Sequence, residues 1–358
     1  MARIREAIGL DIGTSGVRAA HVSFARRPPT LENFGQISLP VGAIRDGEIA
    51  DDETVAQAIS QLWKRGGFSS KKVGLGIANQ KVVIRQVDLP FMEEEELRGA
   101  IQYQVQEYIP IPVEDAVLDF QILDAFVTDT NERMMRVLLV AAQKDMVTRF
   151  VQTVQRGGLD PEAVDVIPLA LIRSLGEEGG FDRVAGEGEA IIDLGAGITN
   201  IVVHERGIPR FVRILLIGGN ALTEAIGASL GLSFEEAEGT KQALVMEGPE
   251  AVPSGQAAAR ILEERTHAFV DEIRGSLDYY MAQADATRIA RLILTGGGSK
   301  LSDLPARLAN ATRLPVEQAG TLERLQLGRR LRLTEDQLAE AEPLMAGAVG
   351  LALGAAEE

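Results

Sequence analysis

IGLDIGTSGVRAAHV, Ile8 to Val22, is the stretch on which the reading of this chain turns. Two apolar, strand-like runs flank a turn that contains Asp11, Gly13, Thr14, Ser15 and Gly16. Such a hairpin gathers backbone N–H groups and two hydroxyls into one concavity with a carboxylate at its mouth, which is how proteins hold a phosphate chain and its divalent cation. One turn of this kind is weak evidence, because glycine-rich turns between strands are common. A second copy strengthens it: AIIDLGAGITNIVV, Ala190 to Val203, carries Asp193, Gly195, Gly197 and Thr199 in the same order. Two like hairpins far apart in one chain predict two like lobes facing each other across a nucleotide.

In this reading Gly13 to Gly16 and Gly195, Ala196 and Gly197 clasp the phosphates from opposite sides. Glycine serves there because a Cβ would keep the backbone from the oxygens. Asp11 and Asp193 are expected to hold Mg²⁺ through its waters, since that ion gives up hydration reluctantly. Arg18, on the strand after the first turn, is placed to offset phosphate charge. A third turn, Thr295-Gly296-Gly297-Gly298-Ser299, follows the apolar strand Arg291 to Thr295 and predicts a flat backbone floor for adenine and ribose.

Composition narrows the field. The chain has 358 residues, enough for two or more domains, and its 46% hydrophobic and 25% charged residues are those of a globular protein. A formal charge of -16 argues against nucleic acid as a partner, because phosphate repulsion has to be offset by a basic face. There is no cysteine, so disulfides, thiolate metal sites and a cysteine nucleophile are excluded, and His21, His204 and His267 are too dispersed to suggest a metal site. No apolar run approaches the ~20 residues needed to span a bilayer. The N-terminus lacks a signal-peptide core, so the expected place is the cytoplasm without direct membrane insertion.

Taken in order, strands are predicted at Ala7 to Ile12, Val17 to Phe24, Leu31 to Leu39 and Val73 to Ala78. A helix lies before the last of these, capped by Asp51 or Asp52 and stopped at Gly66-Gly67. From Lys81 a strand, a helix carrying Leu97, Ile101, Val105 and Tyr108 on one face, two strands (Ala116 to Val127, Met134 to Ala142) and the helix Lys144 to Arg156 form a unit the size of an inserted subdomain. The four glutamates Glu93 to Glu96 suit a helix first turn. After a strand at Ala163 to Ile167 and a helix opened by Pro168, Glu177 to Glu189 reads as the linker between halves. In the second half Gly218-Gly219-Asn220 opens a helix, and Ser233 caps another that contains Glu238 and Lys241. A long helix runs to about Ala284, and the small, apolar residues from Pro343 to Ala355 suit a buried closing helix.

These turns, in this order, resemble the phosphate-one, phosphate-two and adenosine motifs of the actin-like ATPase superfamily, over nearly the whole chain. The resemblance implies an α/β, actin-like ATPase fold with two duplicated lobes around a nucleotide cleft. The expected units are 1–80 with 164–188 (first lobe), 81–163 (inserted α+β subdomain), 189–217 with 286–342 (second lobe), 218–285 (helical subdomain) and 343–358 (closing helix). It implies ATP and Mg²⁺ as ligands, with Gly219, Glu238 and Lys241 near ribose and adenine, although Glu238 and Lys241 equally suit a surface ion pair. Insertion of the extra unit between Lys81 and Ala163 is similar to FtsA and PilM. QVDLPFMEEEELRGAIQYQVQEYIPIPVEDAVLDFQIL, followed by VDVIPLALIRS, is specifically similar to the PilM family of type IV pilus assembly. FtsA ends in an amphipathic membrane helix, which LALGAAEE does not resemble.

The PilM resemblance implies that a groove between the first subdomain and the inserted one binds the short cytoplasmic N-terminal peptide of a PilN-like protein. Docking on the inner membrane and its pilus machinery would follow from that contact; self-association stays open. Leu97, Ile101, Val105 and Tyr108 are candidates for the groove and equally for the subdomain's core. Two departures qualify the transfer: Arg18 stands where relatives commonly carry Lys, and Ile167, Pro168 and Leu169 stand where brisk hydrolases place a polar, water-orienting side chain. Slow hydrolysis is expected. The alternatives are an FtsA-like filament former and a sugar or acetate kinase, the latter needing a base and a polar sugar pocket.

Overall fold

The structure, a computed structural model, describes residues 6–176, 186–301 and 303–355. The expected linker therefore lies largely outside the described residues, as do the last three residues of the closing segment. Strands β1 (Glu6–Gly13), β2 (Gly16–Ser23) and β3 (Thr30–Ser38) form an antiparallel meander, followed by a small hairpin, β4 (Ile44–Arg45) and β5 (Glu48–Ile49). Helix α1 (Asp52–Gly66) starts where the Asp51 carboxylate accepts the Thr54 N–H and stops at Gly67, whose φ of 68° an L side chain resists. It returns the chain so that β6 (Lys72–Ile77) lies parallel to β1.

The inserted unit comprises β7 (Val82–Pro90), α2 (Glu94–Gln104), β8 (Ala116–Val127), β9 (Arg133–Gln143) and α3 (Lys144–Arg156), with sheet order β7-β9-β8. Then β10 (Asp160–Val166) rejoins the first sheet beside β6, and α4 (Ile167–Leu175) leads to the second half. That half repeats the plan. A meander of β11 (Glu187–Leu194), β12 (Thr199–Glu205) and β13 (Ile208–Leu215) is followed by three helices, α5 (Gly219–Leu230), α6 (Phe234–Glu247) and α7 (Gly255–Met281). Next, β14 (Arg288–Thr295) lies parallel to β11, and α8 (Leu304–Thr312) leads to β15 (Val316–Gln318). The strand orders β3-β2-β1-β6-β10 and β13-β12-β11-β14-β15 are the same arrangement built twice.

After β15 the chain departs from expectation. The expected second lobe runs to residue 342, yet β16 (Gln326–Leu327) pairs with the edge of β3 in the first sheet. Helices α9 (Glu335–Ala341) and α10 (Ala346–Gly354) follow, and Leu325, Leu338, Met345 and Val349 fill a core against Val22, Leu31 and Phe34. The reason is the open flank of the first sheet: its second face is apolar and needs a cover, which this tail supplies. Helix α10 is apolar all round and buried from Ala346 to Ala352, as such composition requires. Its glycines allow backbone contact, since a Cβ at Gly350 would strike the Ala170 carbonyl of α4 and one at Gly9 would strike Ala348. The α4–α10 crossing, with Leu171 and Leu351, forms a core shared with Ile191 and Val202 of the second sheet, so the lobes are joined through it.

Candidate nucleotide site

Register builds the site. In the first hairpin Gly13 pairs with Gly16 around Thr14 and Ser15, which puts Asp11 opposite Arg18 on one face. Arg18 Nη1 lies 4.0 Å from Asp11 Oδ2, and Nη2 donates to Ser15 Oγ at 3.1 Å. In the second hairpin the equivalent pair is Asp193 opposite Asn200, whose Nδ2 donates to Asp193 Oδ2 at 2.9 Å. Each aspartate thus ends a central strand beside its parallel neighbour, Asp11 next to Gly76 and Asp193 next to Thr295. The two turns touch: a Cβ on Gly197 would come within 2.6 Å of Thr14 Oγ1.

Between the lobes lies a cavity of about 820 Å³, in the range of small-molecule sites. Asp11, Gly13 to Gly16 and Arg18 line one side; Asp193, Gly195 and Ala196 line the other. Its far end is formed by Gly219, Glu238 and Lys241 with Gly296, Gly297 and Gly298. Gly296 takes φ 82°, and a Cβ there would sit 2.5 Å from Leu194 O and 2.6 Å from Asp193 Oδ1. Its N–H and the Thr295 hydroxyl both donate to Pro343 O, at 2.8 and 3.0 Å, fixing the floor to the tail. Lys241 Nζ meets Glu238 Oε2 at 2.6 Å and donates to Thr223 Oγ1 at 2.7 Å and Gly219 O at 3.1 Å, so this ion pair belongs to the cavity wall.

Two expected site residues do not line the cavity. Ser299 is buried and its hydroxyl donates to Gly296 O at 2.8 Å, so it shapes the turn from behind. Gly197 faces Thr14 across the lobe contact. Conversely, Asn200 and Ile167 line the cavity. Asn200 was missed by sequence reading, although it follows Asp193 by the spacing at which Arg18 follows Asp11.

Burial raises the Asp11 carboxyl above its usual range, with Arg18 pulling it back. Burial also pushes Asp193 up to about 6, opposed by the Asn200 hydrogen bond and reinforced by the charge of Asp11. Burial would raise Glu238 as well, but hydrogen bonds from Lys241 and Thr223 outweigh it and hold the group low. Two crowded carboxylates of raised proton affinity are short of positive charge, and Arg18 supplies one full charge for both. Asn200 Oδ1 and Arg18 Nε are buried without hydrogen-bond partners at the same place. Hard oxygen donors with this deficit fit Mg²⁺. Among the described residues no group of three or more acidic or histidine side chains could hold a metal, so phosphate oxygens and water would have to complete its shell.

A family model described as type IV pilus assembly protein PilM matches residues 9–356. The chain belongs to the PilM family. A solved structure, the PilM-PilN type IV pilus biogenesis complex, superposes with a TM-score of 0.82 at 27% identity, covering 99% of this chain and 100% of that one. The ethanolamine utilization protein EutJ from Carboxydothermus hydrogenoformans matches at 15% identity and a TM-score of 0.54, covering 97% and 89%, a likeness of fold alone. The fold is the actin-like ATPase fold. Cell division protein FtsA of Streptococcus pneumoniae serotype 2 is 27% identical over 266 residues, 67% of this chain and 56% of the relative. FtsA of Neisseria meningitidis serogroup B is 23% identical across 89% of this chain and 86% of its own. The chain spans just over half the length of the first of these FtsA relatives.

In this PilM-family chain, of the two places left open for Leu97, Ile101, Val105 and Tyr108, the core takes the first three. Leu97 and Val105 are fully buried and Ile101 nearly so, packed with Val87, Met135 and Leu139 in the inserted unit's own core. A helix laid on a three-stranded sheet has to bury its apolar stripe there, since the unit has no other cover. Helix α2 also ends at Gln104, and of the four only Tyr108 is exposed. No helix among the described residues is long and apolar enough to cross a membrane.

Proposed function

We propose that this PilM-family chain is an ATP-binding adaptor of type IV pilus assembly. The observation that carries it is the pairing of two register-equivalent turns, each with a partly buried carboxylate, around one interlobe cavity. The phosphate chain would lie between the turns, with Arg18 neutralising charge and Asp11 and Asp193 orienting the waters of Mg²⁺. The ion supplies the positive charge that the two carboxylates lack. Base and ribose would lie between Gly296–Gly298 and the face of α6 that carries Glu238 and Lys241. At the start of α4 the cavity meets Ile167, an apolar side chain that cannot orient an attacking water. Hydrolysis depends on that positioning, so binding without fast turnover is the reading.

The partner is the N-terminal peptide of a PilN-like inner-membrane protein, held in a groove between the first lobe and the inserted unit; the family match and the fit to the PilM-PilN structure support it. Through that peptide the chain would sit at the inner face of the membrane. Calorimetry tests both halves. Mg²⁺-ATP should bind the wild type and fail to bind Asp11→Ala and Asp193→Ala, and a synthetic peptide of the PilN-like N-terminus should bind at a separate site. No heat with nucleotide would remove the first half, and no peptide binding the second. The FtsA similarity favours one other reading, a filament former, which nucleotide-dependent sedimentation without peptide affinity would select.

A further inference from the structure

The strand β13 touches three parts of the molecule in turn. At its C-terminal end Asn200, which holds Asp193, pairs with Ile214, and Thr199 pairs with Leu215 while its hydroxyl donates to Ile217 O at 2.7 Å. From its middle onward, Val212 and Ile214 pack against the core that the first lobe shares with the inserted unit. At its N-terminal end Pro209 O accepts a hydrogen bond from Gln86 Nε2 at 2.8 Å, and Arg210 Nη1 donates to Gln86 Oε1 at 3.3 Å. Gln86 belongs to β7, one edge of the inserted sheet, and β13 is one edge of the second lobe's sheet. Two sheet edges thus meet without pairing, joined by one side-chain amide that uses both its donor and its acceptor.

We propose that β13 is the relay by which occupancy of the nucleotide cavity reaches the inserted unit, with the Gln86–Pro209–Arg210 bridge as its coupling. The strand is a stiff rod of roughly 25 Å. A shift of the second phosphate turn moves its near end directly, because Asn200 and Ile214 are neighbours across the ladder. The far end is held to the second lobe's side by Arg210 Nη2, which donates to Glu205 Oε2 at 2.8 Å. Beside the bridge Arg210 Nε is buried without a hydrogen-bond partner, a donor that separation of the two edges would hydrate. Gln86 itself lines no part of the cavity, so its substitution leaves nucleotide contacts alone. The relay rests on the proposal that this cavity holds nucleotide.

Hydrogen exchange of the full chain, with and without saturating Mg²⁺-ATP, tests it. Nucleotide should slow exchange at the two turns, and also at the distant segments Val82–Pro90 and Arg133–Gln143. In Gln86→Leu, similar in size but unable to bridge, protection of the distant segments should fall at least threefold while that at the turns stays. Arg210→Met, which leaves the Pro209 bond, should lose part of it. Distant protection that survives Gln86→Leu undiminished, or is missing in the wild type although the turns are protected, overturns the relay. No protection at the turns removes the nucleotide reading itself, and the relay with it.

Discussion

Asp193 is a carboxylate whose surroundings want a cation. Burial pushes its folded pKa up to about 6, above the ordinary carboxylate value of 3.8, so the folded state holds the proton more tightly than the unfolded chain does. The contribution to stability is therefore full below about pH 4, lost as pH rises toward 6, and constant above that, a penalty of at most ~3 kcal/mol. Asp193→Asn removes the penalty. The variant should melt higher than the wild type at pH 7.5 without nucleotide, with the difference shrinking as pH drops to 4; equal melting at both pH values would contradict the burial argument. The same variant should lose nucleotide binding, so a gain in bare stability accompanies a loss of function. Such an exchange is expected where a site keeps charge it cannot satisfy alone.

Among the elements, α2 and the α4–α10 crossing make opposite use of their side chains. Helix α2 must bury a stripe, and Leu97→Ala should cost about 2–5 kcal/mol in urea unfolding, first in the inserted unit. Tyr108→Ala, at an exposed position, should change stability by less than about 0.5 kcal/mol. If it nonetheless weakens binding of the PilN-type peptide, the groove runs past the end of α2. The crossing instead depends on missing side chains: at Gly350 even a methyl group meets the Ala170 carbonyl. Gly350→Ala should destabilise by about 1–3 kcal/mol through overpacking, visible as a lower urea midpoint with unchanged slope.

At the scale of the whole molecule, two lobes meet at two turns, one helix crossing and one strand. A ligand that binds only the folded form adds stability by mass action, about 4 kcal/mol at a thousandfold excess over Kd. Mg²⁺-ATP should therefore raise the wild-type melting temperature by several degrees and leave Asp11→Ala where it was. ATP added without Mg²⁺ should do less, since the carboxylate pair then repels the phosphates. Equal shifts with and without the ion would remove magnesium from the account.

The sequence by itself determined the duplicated plan, because each turn is a local matter: a strand, a short glycine-containing reversal and a strand are specified by neighbouring residues. That Asp11, Asp193 and Gly296–Gly298 sit in like turns was legible for that reason, and the PilM likeness was legible in the inserted segment. Only the tertiary structure decided which faces were taken. Leu97, Ile101 and Val105 turned inward because their sheet had no other cover, residues 326–354 crossed back because the first sheet had an open face, and Ser299 went behind its own turn. Gln86 and Pro209, 123 positions apart, met because two sheet edges converged, and no periodicity along a chain records that. Local hydrogen bonding writes itself into sequence, whereas the choice of packing partner depends on every surface left uncovered.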